Sequence, residues 1–267
     1  MDQLDADAIK RATQTQLLGQ EIDVQGEVDS TSAALLRRAQ AGALEGTVVI
    51  ADSQTAGHGR LGKLWISPPG VNLYLSVLLK PPFHIREAHV LTLLGSLAVA
   101  DTIEAHGVTA QVKWPNDVLV AGKKIAGVLS EVEAADGHIG HLILGIGVNL
   151  NLERHSIDSL LGTEAARATS LQEVLGHVID RNVFAGMLLE KLEARYLAFQ
   201  AKGRQPLLTE WRKRSFLGSR VTVRVEGIAK DIDEEGCLLV TLDDGSTIRV
   251  REGEVLPLPR ARELQSR

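Results

Sequence analysis

Between residues 57 and 63 the chain reads Gly-His-Gly-Arg-Leu-Gly-Lys, and Leu-Trp-Ile-Ser-Pro-Pro-Gly follows it instead of a helix. Glycines at 57, 59 and 62 match the spacing of a dinucleotide-binding turn, and Lys63 nearly completes a P-loop. Both motifs work by opening a helix whose N-terminus meets phosphate. Pro68-Pro69 does not continue a helix. Position 64 is Leu, so the Ser or Thr that holds magnesium in a P-loop is missing. No acidic residue ends a second strand at the required offset. Both doubly wound nucleotide folds are therefore disfavoured. What survives is the local physics. Three glycines let backbone N–H groups approach an anion, and Arg60 and Lys63 add positive charge. The same composition also fits an ordinary solvated surface loop.

The flanking periodicities predict the surroundings. Residues 1–19 read as a helix with little to bury, 21–28 as a strand, 32–41 as a helix, and 47–52 and 71–80 as strands around the glycine loop. Residues 86–106 read as a long helix. From 110 to 151 three strand-like runs follow, with Ala121-Gly122 and Asp136-Gly137 between them as hairpin turns. These connections are too short for parallel crossovers. Ser170–Glu173 fits a capping box, Asp180–Ala201 an amphipathic helix, and 206–215 a short helix. Beyond Gly218 the pattern is all β with glycine turns, suited to a small barrel. The expected architecture is α+β, with a boundary near 216–219 dividing a domain over 1–216 from a β domain over 217–267.

Composition narrows the function classes. No window approaches eighteen uncharged apolar residues, so no membrane span is expected, and the acidic N-terminus lacks the order of a signal peptide. A cytoplasmic location is expected. The net charge of −5 gives no support to binding a phosphate backbone. A single cysteine, Cys237, permits no disulfide or multi-cysteine metal site, and its apolar setting reads as a buried structural thiol. His138 and His141, three apart on a strand, point to opposite faces and do not form a metal pair.

A second polar cluster, Lys113-Trp114-Pro115-Asn116-Asp117, interrupts a strand-like region. Two readings stand. Trp114 stacks on a base while Asn116 or Asp117 holds ribose or phosphate, or the segment is a tight turn with Trp114 in the core. Lys123 and Lys124 open the next strand, and the two-residue period points one of them to a site and the other to solvent. Gly145-Ile146-Gly147-Val148-Asn149 ends another strand with small residues that give a ligand room or mark a bulge.

Taken together, these segments resemble the bacterial biotin–protein ligases. The residues that carry the resemblance are Asp29-Ser30-Thr31-Ser32, Gln54 through Trp65, Ser67-Pro68, Asn72-Leu73-Tyr74-Leu75-Ser76, Lys113 to Asp117, Lys123-Lys124-Ile125-Ala126-Gly127 and Gly145 to Asn149. It runs from about residue 21 to the end, and the type is the monofunctional one without an N-terminal DNA-binding domain, because the residues before 21 are too few for a winged helix. The resemblance implies a class II synthetase-like catalytic domain built on a mixed, largely antiparallel sheet with flanking helices, plus an SH3-like C-terminal β-barrel. It implies ATP, biotin and Mg2+, formation of biotinyl-5′-AMP, and transfer to one lysine of a biotin carboxyl carrier protein, by a monomer or homodimer with no DNA partner. A lipoate–protein ligase and a non-catalytic biotin sensor are the alternatives.

By the same resemblance, Ser30, Thr31, Ser32, Gln54, Gly57, His58, Gly59, Arg60, Lys124 and Gly127 form the biotin site. Arg60, Lys63, Trp65, Lys113, Asn116 and Asn149 lie on the nucleotide side. Arg60, Lys124, Lys113 and Asp117 are the catalytic set, with Asp117 orienting or deprotonating the acceptor lysine. The metal ligands are not identified. Many members read G-R-G-R-R-G-R in the loop. His58, Leu61 and Lys63 replace three arginines here, which implies a looser hold on phosphate.

Overall fold

A computed structural model describes residues 3–257; residues 1, 2 and 258–267, at the ends of the expected first helix and β domain, lie outside the described residues. The first helix, α1 (Ala6–Arg11), is shorter than the sequence predicts. The cause lies far away in the chain. Glu193 accepts the backbone N–H groups of Gln16, Leu17 and Leu18 at 2.7–2.8 Å, which takes the donors a continuing helix needs. Nor is there little to bury, since Ile9 and Leu18 are fully buried.

Strands β1 (Ile22–Val28), β2 (Val48–Gln54), β3 (Leu73–Leu79), β4 (Gln111–Lys113), β5 (Asp117–Val120), β6 (Lys123–Ala135) and β7 (His138–Val148) form a seven-stranded sheet in the order β1-β2-β3-β7-β6-β5-β4. Only β1 and β2 run parallel, joined by the crossover helix α2 (Thr31–Gln40). The other pairs are antiparallel. Both two-residue hairpins occur where the turn chemistry places them. Ala121 and Gly122 have φ of 49° and 76°, and Asp136 and Gly137 have 49° and 79°, the paired positive values that match strand twist.

Helix α2 covers one face of the sheet through Ala34 and Leu35, packed on Val49, Ala51, Leu78 and Ile143. The other face carries the main core under α3 (Ala88–Glu104). That helix is apolar nearly all round because it is buried on all sides. After β7 come α4 (Arg154–Leu161), a 3-10 segment Gly162–Arg167, and α5 (Leu171–Leu175), capped by the Ser170 hydroxyl. Helix α6 (Arg181–Lys202) starts at Asp180, which accepts from the N–H groups of Asn182 and Val183. Helix α7 (Arg204–Arg214) follows.

The second sheet is small and antiparallel: β8 (Arg220–Val223), β9 (Val225–Ile232), β10 (Leu238–Thr241), β11 (Thr247–Val250) and β12 (Leu256–Pro257), in the order β11-β10-β9-β8-β12. It docks through specific polar contacts. The Trp114 indole N–H donates to the Gly236 carbonyl at 2.9 Å, and Arg212 Nε meets Asp231 at 2.6 Å. Trp114 is fully buried, so it is a core and docking residue and does not offer a face to a base.

Candidate active site

A cavity of about 750 Å3 opens between the glycine loop, the 113–117 turn, the starts of α2 and β6, the end of β7, and two segments far away in sequence, 160–168 and 253–256. Its volume suits a small-molecule site.

Helix α2 begins at the cavity wall. Ser30 is its N-cap, yet its side chain makes no capping bond. The Thr31 N–H donates instead to Gln54 Oε1 at 2.9 Å, and Gln54 Nε2 donates to the Ser67 hydroxyl at 2.9 Å. A buried serine on β3, Ser76, sits behind, within 2.8 Å of the Thr31 hydroxyl and 3.1 Å of that of Ser32.

The opposite wall carries concentrated charge. Asp117 is buried and clamped by two ammonium groups, Lys124 at 2.6 Å and Lys113 at 2.8 Å. Burial pushes its pKa up, but Lys124 and Lys113 outweigh that and hold it below the ordinary carboxylate value. An acid so stabilised as an anion is a counter-ion first. It becomes a proton acceptor only once a lysine leaves it. The strand period separates the two neighbouring lysines: Lys124 enters the cavity, while Lys123 faces Glu173 at 4.0 Å.

The Lys124 ammonium also lies 5.3 Å from the Trp65 ring centroid. Gly127 and Gly147 are register partners on β6 and β7, and the indole lies over them. A Cβ at Gly147 would come within 2.5 Å of the Trp65 ring. The Trp65 indole N–H is buried with no hydrogen-bond partner among the described residues. Buried donors are normally paired, and an orphan at a cavity marks a place for a ligand atom.

The glycine loop is a folded flap. His58 bridges Leu64, the Gly59 N–H donates to the Lys63 carbonyl at 2.7 Å, and Leu61 turns through φ 57°. Two carboxylates hold it: Glu131, 3.5 Å from His58 Nε2, and Glu254 of the second sheet's terminal segment, ion-paired with Lys63. Arg60 between them has no such partner. Its guanidinium is half-buried, and burial lowers its pKa against the pull of Glu252 and Asp117.

Of the residues picked from sequence, Ser30, Thr31, Ser32, Gln54, His58, Gly59, Arg60, Lys63, Trp65, Lys113, Asn116, Asp117, Lys124, Gly127 and Asn149 all line this cavity. Gly57 does not. A Cβ there would meet the Trp65 carbonyl at 2.6 Å and Ser67 Oγ at 2.8 Å, so Gly57 packs the base of the flap. Two wall residues spend their amides on the backbone: Asn116 donates to Val128 at 2.8 Å and Asn149 to Thr169 at 3.1 Å. Sequence reading missed Leu160, Glu164, Arg167 and Glu254 on the wall, and Ser76 behind it. Ser76 stood in a quoted segment, whereas nothing local marks the others. Among the described residues no group of three or more His, Cys, Asp or Glu is placed to hold a metal ion, and no helix is long and apolar enough to cross a membrane.

Known proteins resemble this chain over most of its length. Residues 25–149 match the biotin/lipoate A/B protein ligase family, and residues 216–256 match the biotin protein ligase C terminal domain. The biotin–[acetyl-CoA-carboxylase] ligase of Mycobacterium tuberculosis is 36% identical over 267 residues, covering 93% of this chain and 95% of that protein. The bifunctional ligase/repressor BirA of Bacillus subtilis is 34% identical over 244 residues, 89% of this chain and 74% of its own. The Aquifex aeolicus biotin protein ligase, solved with biotin and ATP, superposes with a TM-score of 0.74 at 29% identity, covering 89% of this chain and 98% of that one. With both parts of the chain matched and a relative 36% identical over nearly the whole of each protein, the chain belongs to the biotin protein ligase family.

Proposed function

We propose that the chain activates biotin as biotinyl-5′-AMP and passes the biotinyl group to a lysine of a biotin carboxyl carrier protein. The observation that carries this reading is Arg60: a half-buried guanidinium in the cavity, with no hydrogen bond or ion pair to its side chain among the described residues. A partly desolvated cation with no carboxylate in direct contact is costly, so the site is prepared for a negatively charged ligand. Lys124 and Lys113 supply further positive charge around a single carboxylate.

The chemistry follows from this charge. A biotin carboxylate oxygen attacks the α-phosphorus of ATP, the bond to the β-phosphate oxygen breaks, and pyrophosphate leaves. Both reactants are anions, and charge grows on the phosphoryl oxygens. Fixed cations offset that repulsion most in the transition state. Arg60 can bind two phosphoryl oxygens at once, and Lys124 one. Mg2+ is substrate chemistry in this reading, carried on the triphosphate, a common mode of Mg2+ binding. In the second step the carrier amine attacks the acyl carbon, an amide forms and AMP leaves. Asp117 holds Lys113 and Lys124 in the first step and orients the incoming amine in the second. No group on the enzyme is acylated.

Net charge of −5 supports a carrier protein over DNA as the partner, and the reading holds for a monomer or a homodimer acting in the cytoplasm. The test is ATP-dependent labelling of a purified carrier domain by the intact chain, read by mass spectrometry. Labelling with biotin but not lipoate is expected. Labelling with lipoate alone gives the function to the other branch, and tight biotin binding without turnover makes the protein a sensor.

A further inference from the structure

The flap is anchored on two different bodies. On one side Lys63 pairs with Glu254 of the second sheet's terminal segment. On the other, His58 Nε2 lies 3.5 Å from Glu131 Oε1 on β6. A lysine–carboxylate pair keeps both charges across neutral pH. A histidine–carboxylate pair does not, because imidazole is the side chain that changes charge there.

The surroundings of the His58 ring distinguish its two states. The other nitrogen, Nδ1, lies 3.3 Å from the Ala56 carbonyl oxygen. A carbonyl and an ionised carboxylate can only accept. A neutral imidazole has one N–H, so in either tautomer one nitrogen lone pair faces an oxygen. The imidazolium alone presents a proton to both. The carbonyl it meets is itself fixed, since the Ala56 N–H donates to the Asp29 carbonyl at 2.8 Å. The protonated ring therefore ties the flap to its own base and to the large sheet at once.

Glu131 is the anion that faces this ring, and its side chain has no other bond or ion pair among the described residues. Glu133, two residues on along the same face of β6, is turned to His141 at 3.6 Å. The other charges of the flap are Arg60 and Lys63, and Lys63 is spent on Glu254. We propose that Glu131 is a positioning residue that holds the flap shut through the His58 imidazolium, so that the acyl-adenylate escapes faster as pH rises from 6 to 8. This rests on the reading above and adds a control on when the intermediate leaves. The two side chains are 38% and 45% exposed, so water screens the pair and its effect is graded, about 3-fold.

The experiment loads the intact chain with labelled biotin and ATP, then times release of the labelled acyl-adenylate into a chase of unlabelled biotin and ATP, at pH 6 and at pH 8. Wild type is expected to release it about 3-fold faster at pH 8. Glu131→Ala removes the anchor, so release is fast at both pH values. In Glu131→Gln the side-chain amide can donate to the lone pair of a neutral ring, and the pH dependence is lost there too. His58→Lys carries a charge that does not titrate in this range, and its release at pH 8 stays as slow as at pH 6. Glu254→Gln loosens the other anchor, speeds release equally at both pH values and keeps the wild-type ratio. A wild-type rate that does not change with pH, or a ratio that survives Glu131→Ala, overturns the proposal. A wild type that forms no acyl-adenylate sinks the functional reading and this inference together. An acyl-adenylate that forms, and leaves wild type and Glu131→Ala with the same pH ratio, sinks this inference alone.

Discussion

Replacing Asp117 by Asn tests the electrostatic core of the site. The substitution keeps the shape and removes the anion between two ammonium groups at 2.6 and 2.8 Å. At an effective dielectric of about 20, each contact is worth about 6 kcal/mol of gross Coulomb energy. Desolvation takes most of that back, and Lys124, 37% exposed, is partly screened by water. Lys113, at 12%, is not. Breaking such a pair from one side costs about 3 kcal/mol net, the low end for a buried pair. For a protein of this size that lowers Tm by about 6–12 °C. Scanning calorimetry at neutral pH measures it. Because the variant lacks an anion there, ATP is expected to raise its Tm more than that of the wild type. The pH dependence has a definite sign. The folded pKa of Asp117 lies below its unfolded value, so its contribution is complete above pH ~4 and is lost as pH falls through the lower folded value. Wild type and variant should converge in acid. A variant melting within about 2 °C of wild type at pH 7 would refute the clamp.

Four further outcomes are expected. Lys124→Ala should slow adenylate formation by about 100-fold or more, and near-normal pyrophosphate release would reject its role. Arg60→Gly should let the acyl-adenylate escape, so that a bystander protein such as albumin becomes biotinylated; a variant still confined to the carrier argues against flap retention. Gly147→Ala puts a methyl where the Trp65 ring lies, so tryptophan fluorescence should shift and ligand affinity fall, and an unshifted spectrum contradicts the packing. Burial first, and Arg60 second, lower the pKa of His89 to about 4. Stability should therefore decline from pH ~6.5 down to about 4, and His89→Leu should remove that share of the slope in a Tm-against-pH series.

Much of the fold was legible because local chemistry dictates it. Asp136-Gly137 needs a tight turn with both φ angles positive, and the apolar runs on either side then have to pair. The α2 and α6 helices announced themselves by periodicity and flanking caps. The N-terminal segment was not legible, because the carboxylates that take the backbone donors beyond its helix, Glu190 and Glu193, lie more than 170 residues further on. The site divides in the same way. Arg60, Lys113, Asp117 and Lys124 stand out as charges set among glycine, proline and turn residues. Asn116 and Asn149 have the same chemical profile, yet their donors are committed to the backbone, which composition does not reveal. Trp114 and Trp65 look alike in sequence. One is sealed against the second sheet and the other lies in the cavity, a difference decided by which strands pair.

The wall around the flap draws on Ser30 near one end of the chain and on Glu254 and Val255 near the other. Translation delivers these pieces in order, so the cavity wall stays unfinished until residues 253–256 have been made. In the proposed reaction, those late residues complete the compartment that keeps the acyl-adenylate from water. A premature stop just ahead of Gly253 therefore removes Glu254, the carboxylate that pairs with Lys63 of the flap.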